Sequence, residues 1–306
     1  MLLQSFYTKQ PPHTHTQTET QTDTHARTHR ERERERERER MVETRKWEEM
    51  DMDCLVCIFE RLNLEDLILG VPFLCKSWYQ TSTNPLLWKV LDFNQLDLHP
   101  TSPFVEIFKQ EYRVLKFSFT GFLKFTVNRS RRSAVELRVP SMDVTHVQLE
   151  DLAYISYECP SLKIVSLPHT LLSEVDKYFP RCIANWRDLQ ILHMQVKPNS
   201  FAQIVAEIGS HCKNFFELKT RGPFTFKEAN AIAAWLPNIK HLHLSKCSIT
   251  RESLLIILKG CKELEILDVR NCRCFDVDEE ILKLSYNIKT FNYEACTTWQ
   301  RFPYIF

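Results

Sequence analysis

The C-terminal part of the chain carries an apolar pattern that repeats every 24 to 28 residues. In each unit, apolar residues stand at the start and three positions later, and five positions later in every unit except the one containing Thr220. The residues three and five positions after the start share one face of a strand, because alternate strand residues point the same way. The pattern therefore predicts one short strand in each of seven units, which start at Ala134, Leu162, Leu189, Phe215, Ile239, Leu264 and Ile288.

Helices are predicted between these strands. Segments 200–208, 227–235 and 253–258 have helical spacing, and Thr250 stands where the cap of the last one is expected. The period lies in the range of leucine-rich repeats. Because no unit can bury its own apolar face, we expect neighbouring units to stack and their strands to line a concave parallel sheet. Residues 131–306 are therefore predicted to form a short α/β solenoid, a horseshoe arc of about seven leucine-rich repeats.

A compact helical module is predicted between Trp47 and Trp88. Asp51 or Asp53 can cap its first helix. The apolar residues of that helix recur at spacings of three and four, at Leu55, Ile58, Phe59 and Leu62. Two further short helices are predicted over residues 64–70 and 73–82. Three helices in about forty residues give a small core, so such a module usually borrows the surface of a partner.

Residues 41–90 resemble an F-box, and the resemblance is carried by the segment IFERLNLEDLILGVPFLCKSWYQTSTNPLLW. The Leu-Pro pair that usually opens the motif is replaced by Met50-Asp51. The resemblance implies that this segment binds a Skp-type adaptor and, through it, a cullin scaffold. The positions that match the adaptor surface of the family are Met50, Asp51, Leu55, Leu67, Val71, Lys76 and Trp78.

Together, the two parts resemble the plant F-box/leucine-rich-repeat proteins over nearly all of residues 41–306, with residues 91–130 as a helical connector. This resemblance implies a substrate-recognition subunit of an SCF-type ubiquitin ligase, without a catalytic centre or cofactor of its own. Two alternatives stay open. A repeat scaffold without ubiquitin chemistry is supported by Met50-Asp51, and a small-molecule co-receptor needs a deep pocket in a longer array than seven units.

The first forty residues have a different composition from the rest. Residues 13–29 alternate Thr with polar residues, and residues 31–40 strictly alternate Glu with Arg. Such a segment cannot offset the entropy of ordering, and it looks like translated simple-sequence DNA. We therefore expect a low-complexity tail and a functional start at Met41. Without the tail, 32 basic and 32 acidic residues remain, so the rest of the chain is electrically balanced.

Composition excludes several classes of function. The chain has only five glycines, none close enough in sequence to another for a phosphate-binding loop. Its basic residues are not gathered in one segment, which argues against nucleic acid as a partner. No apolar run approaches the length of a membrane helix, and no apolar signal core follows the N-terminus. We expect an intracellular protein of the nucleus, the cytoplasm or both.

The eleven cysteines are expected to be structural. Cys54-x-x-Cys57 lies on a predicted helix, whereas a thioredoxin-like motif needs a preceding strand. A buried thiol behaves as a small apolar group, and this role fits the six cysteines that occupy repeat-phased positions, namely Cys159, Cys212, Cys247, Cys261, Cys272 and Cys296.

A zinc site at His241 and His243 is the sharpest alternative, because residues two apart on a strand share a face. A third ligand is missing, since His193 is two strands away and Lys219 occupies the strand between. We therefore expect histidines on a binding face and no metal.

That binding face consists of the strand positions that alternate with the apolar ones. It mixes charges of both signs with neutral groups, which suits a protein target. The residues expected to bind the unknown target are His193, Lys219, Arg221, His241, His243, Asp268 and Arg270.

Overall fold

The computed structural model describes residues 47–140, 147–168, 173–294 and 296. The low-complexity tail lies outside these residues, so its assignment stays a prediction. In the short N-terminal unit that ends at Met50, the described residues form one 3-10 turn, Trp47–Glu49. The amide of Met50 closes this turn by donating to the carbonyl oxygen of Trp47. All other described residues belong to a second unit that begins at Asp51.

The described part of the chain contains ten α-helices. Side-chain caps explain several of their starts, because Asp51, Ser102, Thr225 and Thr250 each accept a hydrogen bond from a backbone amide of the first turn. The helices are α1 Met52–Phe59, α2 Lys76–Ser82, α3 Pro103–Glu111, α4 Phe119–Ser130, α5 Leu149–Glu158, α6 Ser173–Ile183, α7 Phe201–His211, α8 Phe226–Trp235, α9 Arg251–Gly260 and α10 Glu279–Leu284.

Strands alternate with these helices from residue 90 onward. Among the described residues they are β1 Val90–Asp92, β2 Glu136–Arg138, β3 Ile164–Leu167, β4 Ile191–Met194, β5 Glu217–Lys219, β6 Pro223–Phe224, β7 His241–His243, β8 Ser248–Ile249, β9 Ile266–Asp268 and β10 Thr290–Asn292. Eight of them form one parallel sheet in the order β1-β2-β3-β4-β5-β7-β9-β10, and β6 pairs with β8.

One apolar row runs across the sheet and confirms the predicted repeat phase. The register aligns one residue of each strand with the same position of the next. From β2 onward this is the position three residues after the start of each predicted unit. Its side chains are 0 to 1% exposed in every strand of the sheet except β10, where Phe291 is half-buried. The row consists of Leu91, Leu137, Val165, Leu192, Leu218, Leu242 and Leu267.

The structure differs from the sequence prediction at three places in the N-terminal part. It missed β1, whose three residues pair with β2 and add an eighth strand before the first predicted unit. The predicted helix over 73–82 begins only at Lys76, because Val71–Phe73 forms a separate 3-10 turn and the sulfur of Cys75 caps α2 by accepting from the amide of Trp78. The predicted helix over 64–70 is a single π-helical turn, Asp66–Gly70.

Five of the six repeat-phased cysteines are buried, and Cys296 is half-buried. Cys159, Cys212 and Cys261 are buried, and burial raises the pKa of each thiol to about 12. Cys212 and Cys261 donate to carbonyl oxygens of the preceding repeat, those of Trp186 and Leu236. These thiols therefore pack as small apolar groups that also link neighbouring repeats.

Two glycines allow successive helices to approach closely. A Cβ atom at Gly209 on α7 would lie 2.3 Å from the carbonyl oxygen of Trp235 on α8. A Cβ atom at Gly260 on α9 would lie 2.3 Å from the Cβ of Ala233, also on α8. The spacing of α7, α8 and α9 therefore depends on the absence of a side chain at these positions.

An aromatic cluster joins the N-terminal helical module (residues 51–88) to the repeats. Phe108 on α3 contacts Phe122 and Phe125 on α4 with ring centroids 5.3 and 5.5 Å apart. The hydroxyl of Tyr112 donates to the carbonyl oxygen of Ile68 inside the module. Burial raises the pKa of Tyr112 to about 12. The module thus obtains from α3 and α4 the packing that its own small core lacks.

Candidate functional site

The predicted adaptor residues fall into three groups by exposure. Leu55, Leu67 and Val71 are buried, with 0%, 4% and 6% of their surface exposed. Met50 and Trp78 are half-buried. Asp51 and Lys76 are exposed. The buried three support the module from inside, so substituting them would test its stability rather than its surface.

Asp51 shapes the start of α1. Its carboxylate oxygen Oδ1 accepts a hydrogen bond from the amide of Asp53 at 2.8 Å. Its φ of −54° is one that proline also adopts. Asp51 therefore has a backbone angle that proline could also adopt, and it adds a helix cap.

The module exposes apolar side chains that the sequence reading did not single out. Helical spacing placed Ile58 on the same stripe as Leu55, but Ile58 is 41% exposed and Val56 is buried instead. Leu74 is 64% exposed and follows the turn at Pro72. A large exposed apolar patch marks a site of protein contact. We call Met52, Ile58, Phe73, Leu74 and Tyr79 the apolar module surface.

The predicted target residues occupy neighbouring strands of the sheet. The register places His193 on β4 opposite Lys219 on β5, then His243 on β7 and Asp268 on β9. Each step between paired strands is about 4.8 Å. These four side chains therefore form one row on the sheet surface opposite the apolar row.

Glu217 is the centre of this surface, a role that the sequence did not indicate. Its carboxylate oxygen Oε1 lies 2.7 Å from Nε2 of His193 and 4.0 Å from Nε2 of His243. The other oxygen, Oε2, lies 3.1 Å from Nδ1 of His241. The side chain of Glu217 is 18% exposed. One half-buried carboxylate on β5 thus orients His193 from β4 and His241 from β7 by hydrogen bonds, and it lies close to His243 on β7.

The electrostatics follow from this arrangement. The hydrogen bond from His193, together with that from His241, outweighs burial and lowers the pKa of Glu217 to about 2. Burial lowers the pKa of His243, although the nearby carboxylates of Glu217 and Asp268 oppose the shift. Glu217 is therefore a permanent anion at neutral pH, and both of its oxygens already have partners.

Asp268 is buried, whereas its strand position predicted a residue facing solvent. Both of its carboxylate oxygens accept hydrogen bonds from the guanidinium of Arg270, at 3.0 and 2.9 Å. Burial alone would raise the pKa of Asp268, but the bonds from Arg270 lower it. The sequence places these two residues on one face, but it does not show that one covers the other.

Lys219 and Arg221 complete the surface. Both are exposed, and within the described residues neither side chain makes an ion pair or a hydrogen bond. The carboxylates of the surface already have partners, while these two cations have free donors. The surface therefore offers more donors than acceptors to a partner.

A zinc ion is not supported by the donor set. Within residues 47–140, 147–168, 173–294 and 296, no group of three or more His, Cys, Asp or Glu side chains has an arrangement that could hold a metal ion. The imidazoles of His193, His241 and His243 are oriented by Glu217 instead. In the described part of the chain, no helix combines the length and apolar character needed to cross a membrane.

Comparison with known proteins shows that this chain is similar to F-box proteins. The model of the F-box domain family matches residues 47–90. An F-box/LRR-repeat protein of Arabidopsis thaliana is 30% identical over 284 residues, which cover 84% of this chain and 88% of that protein. Two other A. thaliana proteins are each 24% identical. The F-box protein FBW2 matches over 79% of this chain and 73% of its own length, and the F-box protein SKIP1 matches over 74% and 79%.

Proposed function

Because this chain belongs to the plant F-box/leucine-rich-repeat protein family, we propose that it is the substrate-recognition subunit of an SCF-type ubiquitin ligase. In this role the F-box binds a Skp-type adaptor and, through it, a cullin. The repeats hold a target protein for ubiquitination. The chain contributes recognition and positioning, and the chemistry belongs to other subunits. It acts where that ligase acts, in the nucleus, the cytoplasm or both.

The apolar module surface is the observation that carries this proposal. Its five large side chains are between 41% and 64% exposed in a module of fewer than forty residues. Interface cores favour aromatic and large aliphatic side chains. A partner that covers this surface gains free energy from burying apolar area. The match to the F-box domain supports the adaptor as this partner.

The junction between module and repeats supports a positioning role. Trp88, the last residue of the module, is fully buried, and its indole Nε1 donates to the carbonyl oxygen of Ser82 at 2.7 Å. β1 begins two residues later and is the first strand of the sheet. No linker therefore separates the adaptor-binding module from the target-binding sheet. A target held on the sheet therefore has a fixed position relative to the adaptor.

Titration of the purified adaptor against the full chain tests the proposal. We expect Leu74→Asp to weaken adaptor binding by about thirtyfold or more, since truncating a central apolar contact commonly costs about 2 kcal/mol. Leu74 is mostly exposed, so the variant should keep the unfolding temperature of the wild type.

Leu115→Asp is the matched control, because Leu115 is fully exposed but lies outside the module. Its adaptor affinity should equal that of the wild type. If the wild-type chain does not bind the adaptor, the repeat scaffold without ubiquitin chemistry becomes the better account.

A further inference from the structure

A row of basic residues lies where the strands of the middle repeats end. The amide of Lys197 donates to the carbonyl oxygen of Arg221 at 2.6 Å. The amide of Lys246 donates to the carbonyl oxygen of Arg270 at 2.9 Å. These backbone bonds join two pairs of neighbouring repeats, and the four basic residues each follow a strand of four consecutive repeats in the sheet.

Half of this row is neutralised within the protein. Nζ of Lys197 lies 3.0 Å from Oε1 of Glu228, and both side chains are less than 10% exposed. The guanidinium of Arg270 is paired with Asp268. Arg221 and Lys246 are exposed, and neither side chain makes an ion pair with another described residue. Two adjacent cations are therefore free to bind an external anion.

An open pocket of about 540 Å³ is lined by Lys246 and by Gly222, the residue that follows Arg221. Its lining includes Gly222, Lys246 and Asn271, which all have positive φ, at 127°, 62° and 56°. Glycine and asparagine tolerate this conformation well. The chain therefore turns sharply at the same place in three repeats, and the turns leave a recess at the edge of the sheet. Arg273 also lines this recess.

The charges of the neighbouring sheet surface also favour an anionic partner. Glu217 is held by three histidines and Asp268 by Arg270. A third exposed cation is Lys219, two residues before Arg221 in the chain. The carboxylates of Glu217 and Asp268 are therefore occupied, whereas Lys219 and Arg221 are exposed and have no ion pair among the described residues. Electrostatic complementarity then favours an acceptor-rich partner.

We propose that this edge of the sheet binds an acidic segment of the target protein, and that Arg221 and Lys246 bind its carboxylate or phosphate groups. The inference deepens the proposed function, because it names the chemical class of the target that the repeats hold. The recess accepts one anionic side chain, and Lys219 extends the contact onto the sheet surface. Glutamate-rich and phosphorylated segments share this chemistry.

Fluorescence anisotropy with labelled short peptides tests this inference on the full chain. The probes are a glutamate-rich peptide, the same peptide with phosphoserines in place of some glutamates, and a lysine-rich peptide. We expect both acidic peptides to bind and the lysine-rich peptide not to bind. The tighter of the two acidic probes identifies which anion the site prefers. Affinity should fall when salt is raised to about 0.5 M, because exposed charge pairs are screened.

Matched variants locate the site. Arg221→Gln and Lys246→Asn should each weaken peptide binding by about fivefold, the effect of one exposed charge pair. Asparagine suits the positive φ of Lys246. The controls, Arg187→Gln and Lys213→Asn, remove the same charges from exposed turns elsewhere in the repeats. They should leave the peptide affinity unchanged.

Three results would overturn the inference. The first is that neither acidic peptide binds, and the second is that control and site variants weaken binding equally. The third is that a short single-stranded RNA binds more tightly than both acidic peptides and loses affinity in the site variants. Adaptor affinity, measured on the same variants, separates the two proposals. If the adaptor binds and the peptides do not, only this inference fails. If the peptides bind and the adaptor does not, the acidic-segment site stands and the ligase role fails.

Discussion

The substitution Glu217→Gln removes the charge that organises the three histidines while it keeps the shape of the side chain. The pKa of Glu217 falls from its ordinary value of 4.5 to about 2. A shift of this size corresponds to at most about 3 kcal/mol of folding stability at neutral pH. Glu217 is 18% exposed, so solvent screens part of the interaction. We expect a loss of about 2 to 3 kcal/mol at pH 7.

The loss should depend on pH in a defined direction. Because the pKa is depressed in the folded state, the charge of Glu217 stabilises the protein fully above about pH 4.5. This contribution disappears as the pH falls towards 2. Urea denaturation of the wild type and of Glu217→Gln between pH 7 and pH 3 measures the difference. More than half of it should be gone at about pH 3.

An exposed glutamate provides the control for this experiment. Glu263 is exposed and makes no ion pair with another described residue, so Glu263→Gln should cost less than about 0.5 kcal/mol at every pH. The reasoning would be refuted if Glu217→Gln cost as little as this control. A cost that stayed constant from pH 7 to pH 3 would refute it equally.

Three further substitutions and one control test the packing, each by urea denaturation at pH 7. Leu242→Ala should cost about 2 to 5 kcal/mol because it opens a cavity in the apolar row, whereas the exposed Lys219→Ala should stay within about 0.5 kcal/mol. If Leu242→Ala and Lys219→Ala lowered the free energy of unfolding by similar amounts, the assigned repeat phase would be wrong. Gly209→Ala should cost about 1 to 3 kcal/mol by forcing α7 away from α8. Glu228→Gln should cost about 3 to 5 kcal/mol, because it leaves the ammonium of Lys197 buried without its charged partner. A neutral result for either variant would contradict the close contact that the structure shows there.

Much of the fold follows from the sequence because the repeat pattern is redundant. One apolar residue three positions after the start of a unit is weak evidence for a strand. Seven units in phase, however, fix the strand positions and their faces. The register of Leu218 with Leu242 was predictable for this reason. β1 could not be found in the same way, because Val90–Asp92 follows a helical module rather than a repeat and so lies outside the repeat period.

The candidate site was predictable only in part. The alternation of strand faces put His193, Lys219 and His243 on one surface, and the structure places them in one row. Which side chains pair within that surface depends on rotamers and diagonal distances, which alternation does not specify. The central role of Glu217 and the burial of Asp268 under Arg270 are of this kind. Lys246 was missed because it lies in a turn, beyond the strand positions on which the sequence reading was based.

Quantitative mass spectrometry of proteins that co-purify with the full chain from plant cells, under proteasome inhibition, tests the ligase role most directly. The wild type, Leu74→Asp and the double variant Arg221→Gln/Lys246→Asn are compared. The wild type and the double variant should both recover a Skp-type adaptor and a cullin, and Leu74→Asp should recover neither. Equal recovery of adaptor and cullin with Leu74→Asp, or their absence from the wild type, would contradict the proposal that this chain brings a target to an SCF-type ligase through its F-box.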